Sequence, residues 1–278
     1  MDTRSPDFEN DDALRSAFVR ELTLGQIRDG DEPNGNYSRA SSIPKTLIRY
    51  WHNLDELPED VEECFKSWDQ LSHEGFQIKT FDDQSARAYI AANYGLLETA
   101  AFARCRHPAM RSDYLRMCFI LAEGGMYVDA DDVLLSDGWR HLFRDERLKL
   151  QPLCYDISFG RMVPTSHLWL EDLPAEGRVF YVNNDPLAAP AGHPLLARAL
   201  RSSTVKLLGD EELPIIQATT GPGNMTIALA YHAHYLMSSG SPPDFELLRN
   251  WDEIAETRWD LSYRGDERNW RNVEGSGF

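Results

Sequence analysis

The sequence predicts an α/β fold in which a mainly parallel central sheet is flanked by helices. First, short apolar segments rich in β-branched residues alternate with helical patterns, as they do in βαβ units. Second, one such segment ends in a cluster of carboxylates, and the ligands of open α/β sheets bind at the carboxyl ends of strands. Third, a length of 278 residues suits one large domain whose core needs neither disulfides nor metal.

The first 42 residues are polar, and we predict that residues 1–42 form an N-terminal arm. The run Asp-Gly-Asp-Glu-Pro-Asn-Gly-Asn at 29–36 is not expected to hold regular structure, whereas residues 13–24 can form one short amphipathic helix. Residues 43–278 are then predicted to form a single folded domain.

Local patterns predict the elements of the first half of this domain. The run at 46–51 is β-branched and aromatic and follows a proline, which favours a buried strand. Pro58 suits the first turn of a helix, and alternating apolar and polar residues at 76–81 favour a second strand. In chain order, the predicted elements are a strand at 46–51, a helix at 58–71, a strand at 76–81, a helix at 82–92, a helix at 95–106 and a central helix from Pro108.

Fewer elements are predicted in the second half. Strands are expected at 153–159 and 178–182, and helices at 193–208 and 225–237. The run Asn-Asn-Asp-Pro that follows the second of these strands is interpreted as a turn, although its amides could also form hydrogen bonds with hydroxyl groups of a ligand. His232 and His234 would face different directions on a helix, so we expect structural roles for them.

The rest of the chain is organised around the stretch from Arg111 to Asp132. Apolar residues recur at helical spacing among charged ones in its first half, which predicts a half-buried helix. Gly124-Gly125 can end that helix because glycine adopts the left-handed conformation, and a strand then begins at residues 126–128. Asp113 and Arg116 lie three residues apart and therefore share one face of the helix.

Three carboxylates follow this strand within four residues, at Asp129, Asp131 and Asp132. If the chain stayed extended, Asp129 and Asp131 would point the same way, and two like charges so close repel unless a cation lies between them. Hard oxygen ligands of this kind suit Mg²⁺ or Mn²⁺. An acidic turn that caps the next helix is the alternative.

The pattern Arg-Ser-Asp-x-x-Arg, an apolar helix and Gly-Gly-x-Tyr-x-Asp-x-Asp resembles the sugar-binding region of the family 32 glycosyltransferases. That family includes yeast Golgi mannosyltransferases and bacterial capsule enzymes, and the pattern is also similar, more distantly, to the large clostridial glucosylating toxins. The resemblance implies a GT-A fold and a UDP- or GDP-sugar donor. It also implies that Asp131 coordinates Mn²⁺ or Mg²⁺, that Asp129 contacts ribose, sugar or metal-bound water, and that Asp113 with Arg116 holds the hexose hydroxyls.

Further donor-binding residues are implied by the same resemblance. Trp51 matches the tryptophan that ends the first strand in the family, whereas Ile48 stands where the family has histidine. Gly221 belongs to a Thr-Gly-Pro phrase that leads into a helix N-terminus. Asn269-Trp270 corresponds to a Ser-Trp pair that covers the diphosphate and completes the metal shell, with Asn in place of Ser. A core aromatic and a flexible connector are the alternatives for Trp51 and Gly221.

Charge and cysteine content limit the partners and the compartment. The net charge of −17, from 28 basic and 45 acidic residues, argues against nucleic acid or an anionic membrane as a partner. The four cysteines form no Cys-x-x-Cys pair and are predicted to be buried free thiols. Because neither a signal peptide nor a transmembrane segment is expected, we predict a cytoplasmic protein, with a peripheral position at the inner membrane face as an alternative.

These observations together predict a retaining, metal-dependent glycosyltransferase. It would move a hexose from a nucleotide-diphosphate sugar to a saccharide or other acceptor, in the synthesis of bacterial surface polysaccharide. Two other functions are left open. One is a non-catalytic protein that binds sugar nucleotides. The other is a metal-dependent hydrolase of phosphate esters or diphosphates, which would need only the Asp cluster and would leave Asp113 and Arg116 without a role in holding a sugar.

Overall fold

A computed structural model describes residues 6–28, 43–209 and 215–272 of the chain. The helices are α1 (Asp12–Arg28), α2 (Glu59–Asp69), α3 (Asp83–Asn93), α4 (Leu96–Arg104), α5 (Pro108–Glu123), α6 (Pro194–Leu208), α7 (Ile216–Thr219), α8 (Pro222–Ser239) and α9 (Trp251–Ile254). The strands are β1 (Thr46–Tyr50), β2 (Gln77–Phe81), β3 (Gly125–Tyr127), β4 (Asp132–Leu134), β5 (Leu148–Leu150), β6 (Pro152–Asp156), β7 (Arg161–Met162), β8 (Arg178–Val182), β9 (Leu187–Ala189), β10 (Phe245–Leu247) and β11 (Ala255–Thr257).

The central sheet has six strands in the order β10-β5-β9-β3-β1-β2. β1 runs parallel to both β2 and β3, and β5 runs parallel to β10. β9 lies between these two groups and is antiparallel to β3 and β5. The predicted fold class, an α/β domain with a mainly parallel central sheet flanked by helices, is therefore confirmed.

Most predicted elements of the first half are present with ends shifted by one or two residues. β1, α2, β2, α3 and α4 occupy the positions predicted for them. The central helix α5 is also present, but the prediction that it is half-buried is wrong, since every residue from 112 to 120 is buried. The reason is that α5 packs against α3, α4 and α6 as well as against β3 and β9, so neither side of it faces solvent.

The second half contains strands that local patterns did not predict. The predicted strand at 153–159 ends at Asp156, and as β6 it pairs with β7 and β8 in a separate three-stranded sheet. The short strands β5, β9 and β10 complete one half of the central sheet. β4 pairs with β11 in a two-stranded sheet that ties the C-terminal part of the chain to the segment after β3.

The described residues of the N-terminal segment pack onto the rest of the protein. The helix predicted at 13–24 is present as α1, which contacts β8 and α8. Phe8, Val19 and Leu24 are buried, and Arg20 donates hydrogen bonds to the carbonyls of Leu168 and Leu170. The run at 29–36 lies outside the described residues, and the division of the chain at residue 43 stays a prediction.

The turn from α5 into β3 needs its two glycines. Gly124 has a φ of +73° and Gly125 a φ of +117°, values that L side chains rarely adopt. A Cβ on Gly125 would also lie 2.6 Å from the carbonyl oxygen of Thr46 in β1. The glycine pair therefore lets β3 lie directly beside β1, and this places the residues after β3 at the same sheet edge as the end of β1.

Two further predictions concern cysteines and membranes. All four cysteines are buried free thiols, as predicted. No helix among the described residues has both the length and the apolar character needed to cross a membrane.

Candidate active site

A cleft of about 730 Å³ lies at the carboxyl ends of β1 and β3. Each parallel strand contributes residues there because the carboxyl ends of parallel strands meet at one edge of the sheet. The cleft is lined by predicted site residues from four parts of the chain, namely Trp51, Asp113, Arg116, Asp129, Asp131, Asn269 and Trp270. Gly221 is not part of the lining, but Pro222 beside it is. The structure thus brings together residues that lie up to 219 positions apart in the sequence, from 51 to 270.

Asp113 and Arg116 form a buried ion pair on α5. Their side chains are 8% and 3% exposed, and Arg116 Nη2 lies 3.2 Å from Asp113 Oδ1. Asn184 and Thr220 donate hydrogen bonds of 2.8 and 3.0 Å to the two oxygens of Asp113. Arg116 also donates to the carbonyl oxygen of Asn184 at 2.9 Å. Both residues are thus held by protein partners, and their contact with a sugar stays a prediction.

Arg116 also holds Asp129, the first carboxylate after β3. Its Nη2 lies 2.7 Å from Asp129 Oδ1, which accepts a second hydrogen bond from the Tyr127 hydroxyl at 2.9 Å. The guanidinium lies 3.9 Å from the centre of the Tyr127 ring. The backbone N–H of Asp129 donates to Asp185 Oδ1 at 2.9 Å. With 36% of its side chain exposed, Asp129 is fixed at one end and accessible from the cleft.

The chain does not stay extended after Asp129, because it turns at residues 130–131. Asp131 nevertheless lines the cleft, where its Oδ2 accepts a hydrogen bond from the Tyr263 hydroxyl at 2.9 Å and pairs with the Arg264 guanidinium. Asp132 points into the interior and accepts from the Thr257 hydroxyl at 2.8 Å. Its second oxygen, Oδ2, is buried without a hydrogen-bond partner among the described residues.

Buried negative charge dominates the electrostatics of this cleft. Burial is the largest cause that raises the pKa of Asp113, Asp131, Asp132 and Asp185. For Asp132, burial together with the charge of Asp131 raises the pKa to about 7. A carboxyl with a raised pKa is one whose charge lacks sufficient compensation, and a cation close by would supply it. The oxygen donors of this cluster therefore fit Mg²⁺ or Mn²⁺ chemically, and coordination by Asp129 and Asp131 stays a prediction.

The C-terminal segment supplies the opposite wall of the cleft. Asn269 is buried, its amide nitrogen donates to the Arg264 carbonyl at 2.9 Å, and its amide oxygen accepts from the Arg271 N–H at 3.2 Å. Trp270 follows it and lies under the Arg271 guanidinium, 4.3 Å from the ring centre. In this arrangement Asn269 shapes its own segment, and its predicted role as a metal ligand stays a prediction.

Trp51 and Gly221 border the cleft in different ways. Trp51 packs in a small apolar cluster with Phe65 and Leu261, yet its indole N–H is buried without a hydrogen-bond partner among the described residues. It is thus both a core aromatic and part of the lining. Gly221 precedes α8, and a Cβ added to it would lie 3.4 Å from Asp113 Oδ2. The Thr-Gly-Pro phrase therefore brings the backbone close to the buried ion pair.

Three residues of the cleft were missed by sequence reasoning, namely Asp185, Tyr263 and Arg264. Asp185 lies in the run that was interpreted as a turn, and a polar run that directly follows a strand was the available signal. Tyr263 and Arg264 belong to an Arg- and aromatic-rich tail in a very acidic chain, but no local pattern singles out either residue. Their importance appears only through their contacts with Asp131.

A second group of possible metal ligands, His193, His232 and Asp244, lies outside the cleft with its ligand atoms within 4.8 Å of one another. His193 Nδ1 accepts from the Leu195 N–H at 3.3 Å, so its Nε2 carries the proton and donates to the Asp244 carbonyl at 3.1 Å. His232 Nε2 lies 2.7 Å from the Asp244 carboxylate. These hydrogen bonds give all three side chains protein partners, and the structural role expected for His232 stays a prediction.

Comparisons with known proteins agree with the resemblance drawn from the sequence. Residues 58–147 match the model of the family described as the glycosyltransferase sugar-binding region containing the DXD motif. This match includes Asp113, Arg116, Asp129 and Asp131. The resemblance to this family is confirmed by the match.

Two individual proteins are also similar. Over 225 residues the chain is 26% identical to an initiation-specific alpha-1,6-mannosyltransferase of Schizosaccharomyces pombe, which covers 77% of this chain and 54% of the relative. The chain thus spans about half the length of that relative. Among solved structures, the PaToxG glycosyltransferase is similar with a TM-score of 0.47 and 14% identity, over 86% of this chain and 94% of the other.

Proposed function

We propose that this protein is a metal-dependent glycosyltransferase that takes a sugar from a nucleotide-diphosphate donor to an acceptor. The proposal depends on one observation above the others. Within the segment that matches the DXD family model, the two carboxylates after β3 and the ion pair of α5 lie in one cleft. The buried carboxylates of this cleft repel a diphosphate, and a cation bound between them would offset that repulsion.

Asp129 and Asp131 are the residues that would hold Mn²⁺ or Mg²⁺, with Asn269 as a further predicted ligand. A divalent cation bound there supplies a positive charge that stabilises the departing diphosphate. Arg116 keeps Asp129 in place through its 2.7 Å contact, so the carboxylate is oriented before a ligand arrives. Trp51 and Trp270 line the cleft, and Gly221 allows a close backbone approach to Asp113.

The finer features of the proposal come from the resemblance. We infer a hexose as the transferred sugar, a UDP- or GDP-linked donor, and retention of configuration through attack by the acceptor on the face that the diphosphate leaves. No enzyme base is assigned to this reaction. A saccharide is the proposed acceptor, with bacterial surface polysaccharide as the predicted class. The mannosyl transfer in the name of the yeast relative makes GDP-mannose a first donor to test.

A nucleotide-release assay with matched variants tests this function. The protein is incubated with a panel of UDP- and GDP-sugars and Mn²⁺, with and without saccharide acceptors. Wild type is expected to release nucleotide from one donor in an acceptor-dependent way. Asp131→Asn should slow that release by about 100-fold or more, as loss of one electrostatic group at a reacting centre does. Asp137→Asn, at a carboxylate with 85% side-chain exposure, is the control and should match wild type.

The other outcomes separate the alternatives. Tight donor binding without turnover would identify a sugar-nucleotide-binding protein. Release that does not depend on any acceptor would identify a hydrolase. Equal release by wild type and Asp131→Asn would remove the proposed metal role of Asp131.

A further inference from the structure

The C-terminal segment, residues 258–272, is fastened to the carboxylates of the cleft by backbone contacts. It follows β11, which pairs with β4, the strand that begins at Asp132. The N–H of Arg258 donates to the carbonyl of Asp131 at 2.8 Å. Farther along, the amides of Asn269 and Asn272 both donate to the Arg264 carbonyl, at 2.9 and 3.0 Å. The backbone at Arg264 is therefore held next to the carboxylate cluster.

The Arg264 guanidinium occupies the place beside Asp131 where a bound cation is expected. It pairs with Asp131 Oδ2, the oxygen that also accepts the Tyr263 hydroxyl. Both charged side chains are largely withdrawn from solvent, with 13% of Arg264 and 12% of Asp131 exposed. A positive charge at this point compensates the carboxylate and opposes the burial that raises the pKa of Asp131. The protein itself thus provides a counter-ion for the predicted metal ligand.

Hydrogen-bonding capacity remains on this guanidinium. Its Nε is buried and has no hydrogen-bond partner among the described residues. The guanidinium carbon lies over an aromatic side chain, 4.5 Å from the centre of the Trp259 ring. A planar guanidinium with spare N–H donors is suited to bidentate contact with phosphate oxygens. Arg264 can therefore exchange its partner Asp131 for a phosphate while it keeps its contact with the Trp259 ring.

Other arginines of the same segment line the cleft. Arg268 lies 5.9 Å from the Trp51 ring centre, and Arg271 lies 4.3 Å from that of Trp270. Together with Arg264 they bring three guanidiniums within eight residues of a chain whose net charge is −17. Arg268 pairs with Asp266 at 2.7 Å, so part of this positive charge is compensated within the segment, and the remainder suits a ligand that is itself negative and arrives with a cation.

We infer that Arg264 is a diphosphate-binding residue whose guanidinium rests on Asp131 in the free protein and competes there with the divalent cation. The inference rests on the proposed function, because it takes Asp131 as the metal ligand. A guanidinium and a divalent cation beside the same carboxylate repel each other, so each weakens the binding of the other there. A diphosphate resolves the competition by giving Arg264 a new partner. Binding of the diphosphate therefore increases the affinity for the cation, and binding of the cation increases the affinity for the diphosphate. Both effects arise because Arg264 moves from Asp131 to the diphosphate.

Mn²⁺ titrations monitored by electron paramagnetic resonance test the inference without any turnover. Wild type, Arg264→Gln, Arg264→Lys, Arg258→Gln and Asp131→Asn are titrated with Mn²⁺ alone, and their affinity for UDP and GDP is then measured at saturating Mn²⁺. Arg264→Gln should bind Mn²⁺ alone about 10-fold more tightly than wild type and bind the better diphosphate about 10-fold more weakly. A charged hydrogen bond typically contributes an effect of this size.

The remaining variants act as controls. Arg258→Gln removes a guanidinium from the same segment that pairs with Asp260 and Glu63, so both affinities should equal those of wild type. Arg264→Lys keeps the charge but lacks the planar fork, so Mn²⁺ affinity should stay low while diphosphate affinity falls. This variant also provides a test if Arg264→Gln does not fold, as judged by circular dichroism.

The outcomes distinguish the inference from the function on which it rests. If Asp131→Asn loses Mn²⁺ while both Arg264 variants match wild type, the inference is wrong and the metal site stands. If Asp131→Asn binds Mn²⁺ as wild type does, or if wild type binds none, the proposed metal site itself fails and the inference fails with it.

Discussion

Replacement of Arg116 by methionine would show how much of the cleft depends on one buried cation. The guanidinium pairs with Asp113 at 3.2 Å and with Asp129 at 2.7 Å, and it also donates to the carbonyl of Asn184 at 2.9 Å. Methionine fills similar space without charge, so the change leaves the buried carboxylate of Asp113 uncompensated. Breaking a buried pair in this way costs about 3–5 kcal/mol of the free energy of unfolding.

Urea unfolding at pH 7 measures this loss against two further variants. Arg140→Met breaks a pair with Glu74 in which both side chains are more than 40% exposed, and it should leave the free energy of unfolding close to that of wild type. The double variant Arg116→Met/Asp113→Asn removes the charge that Arg116→Met exposes, so it should be at least about 1 kcal/mol more stable than the single variant.

Acid should also reduce the defect of Arg116→Met. Burial raises the pKa of Asp113 even with the Arg116 guanidinium present, and loss of that guanidinium should raise the pKa further. A carboxyl whose folded pKa lies above its unfolded pKa destabilises the protein at high pH, and the penalty shrinks as pH falls through the folded pKa. The difference in free energy of unfolding between wild type and Arg116→Met should therefore be smaller at pH 5 than at pH 7. The account of Arg116 as the counter-ion of Asp113 would be refuted by either of two results. One is a free energy of unfolding of Arg116→Met within about 1 kcal/mol of that of wild type. The other is a double variant that is no more stable than the single one.

Two more predictions concern the scaffold. Gly125→Ala should lower the free energy of unfolding by about 2–4 kcal/mol, because it adds a clash with the β1 backbone to the strain of a positive φ. Gly75→Ala has the strain at φ +84° without the clash and should lose only about 1 kcal/mol in the same urea titration, so equal losses would contradict the reason given. Burial alone would raise the pKa of Asp145, but the hydrogen bond from Arg147 and the charge of Lys149 outweigh it and lower the pKa to about 2. Because the folded pKa lies below the unfolded value of 3.8, this contribution is present above pH 4 and is lost as pH falls to 2. Between pH 4 and pH 2 the free energy of unfolding should therefore fall less steeply for Asp145→Asn than for wild type. Identical slopes would argue against a stabilising role of the Asp145 carboxylate.

Local patterns were sufficient where an element is defined by its own residues. The strand β1 and the helices α2 to α5 follow from β-branched runs, helical spacing and the prolines and glycines at their ends. The acidic end of β3 was also visible, because three aspartates within four residues stand out in any sequence. The pattern from Arg111 to Asp132 further identified the family whose model matches residues 58–147.

Local patterns failed for elements that depend on distant partners. β9 is three residues long and holds its position between β3 and β5, which lie about 60 and 40 residues earlier. Its alanines have no intrinsic strand preference, so only the pairing makes it a strand. The burial of α5 on all sides has the same origin, since it results from helices and strands that close around it.

By itself, the sequence determined the order of strands and helices from β1 to β3, the two glycines between α5 and β3, and the carboxylates that follow β3, because each depends on the conformational preferences or chemistry of neighbouring residues. The tertiary structure alone decided which groups share the cleft. Asp185 and Arg264 come to Asp129 and Asp131 from 56 and 133 residues away, through hydrogen bonds and ion pairs that form only after the strands have paired. A pairing of that kind leaves no periodic trace in the chain, since its energy depends on separations in space and on burial.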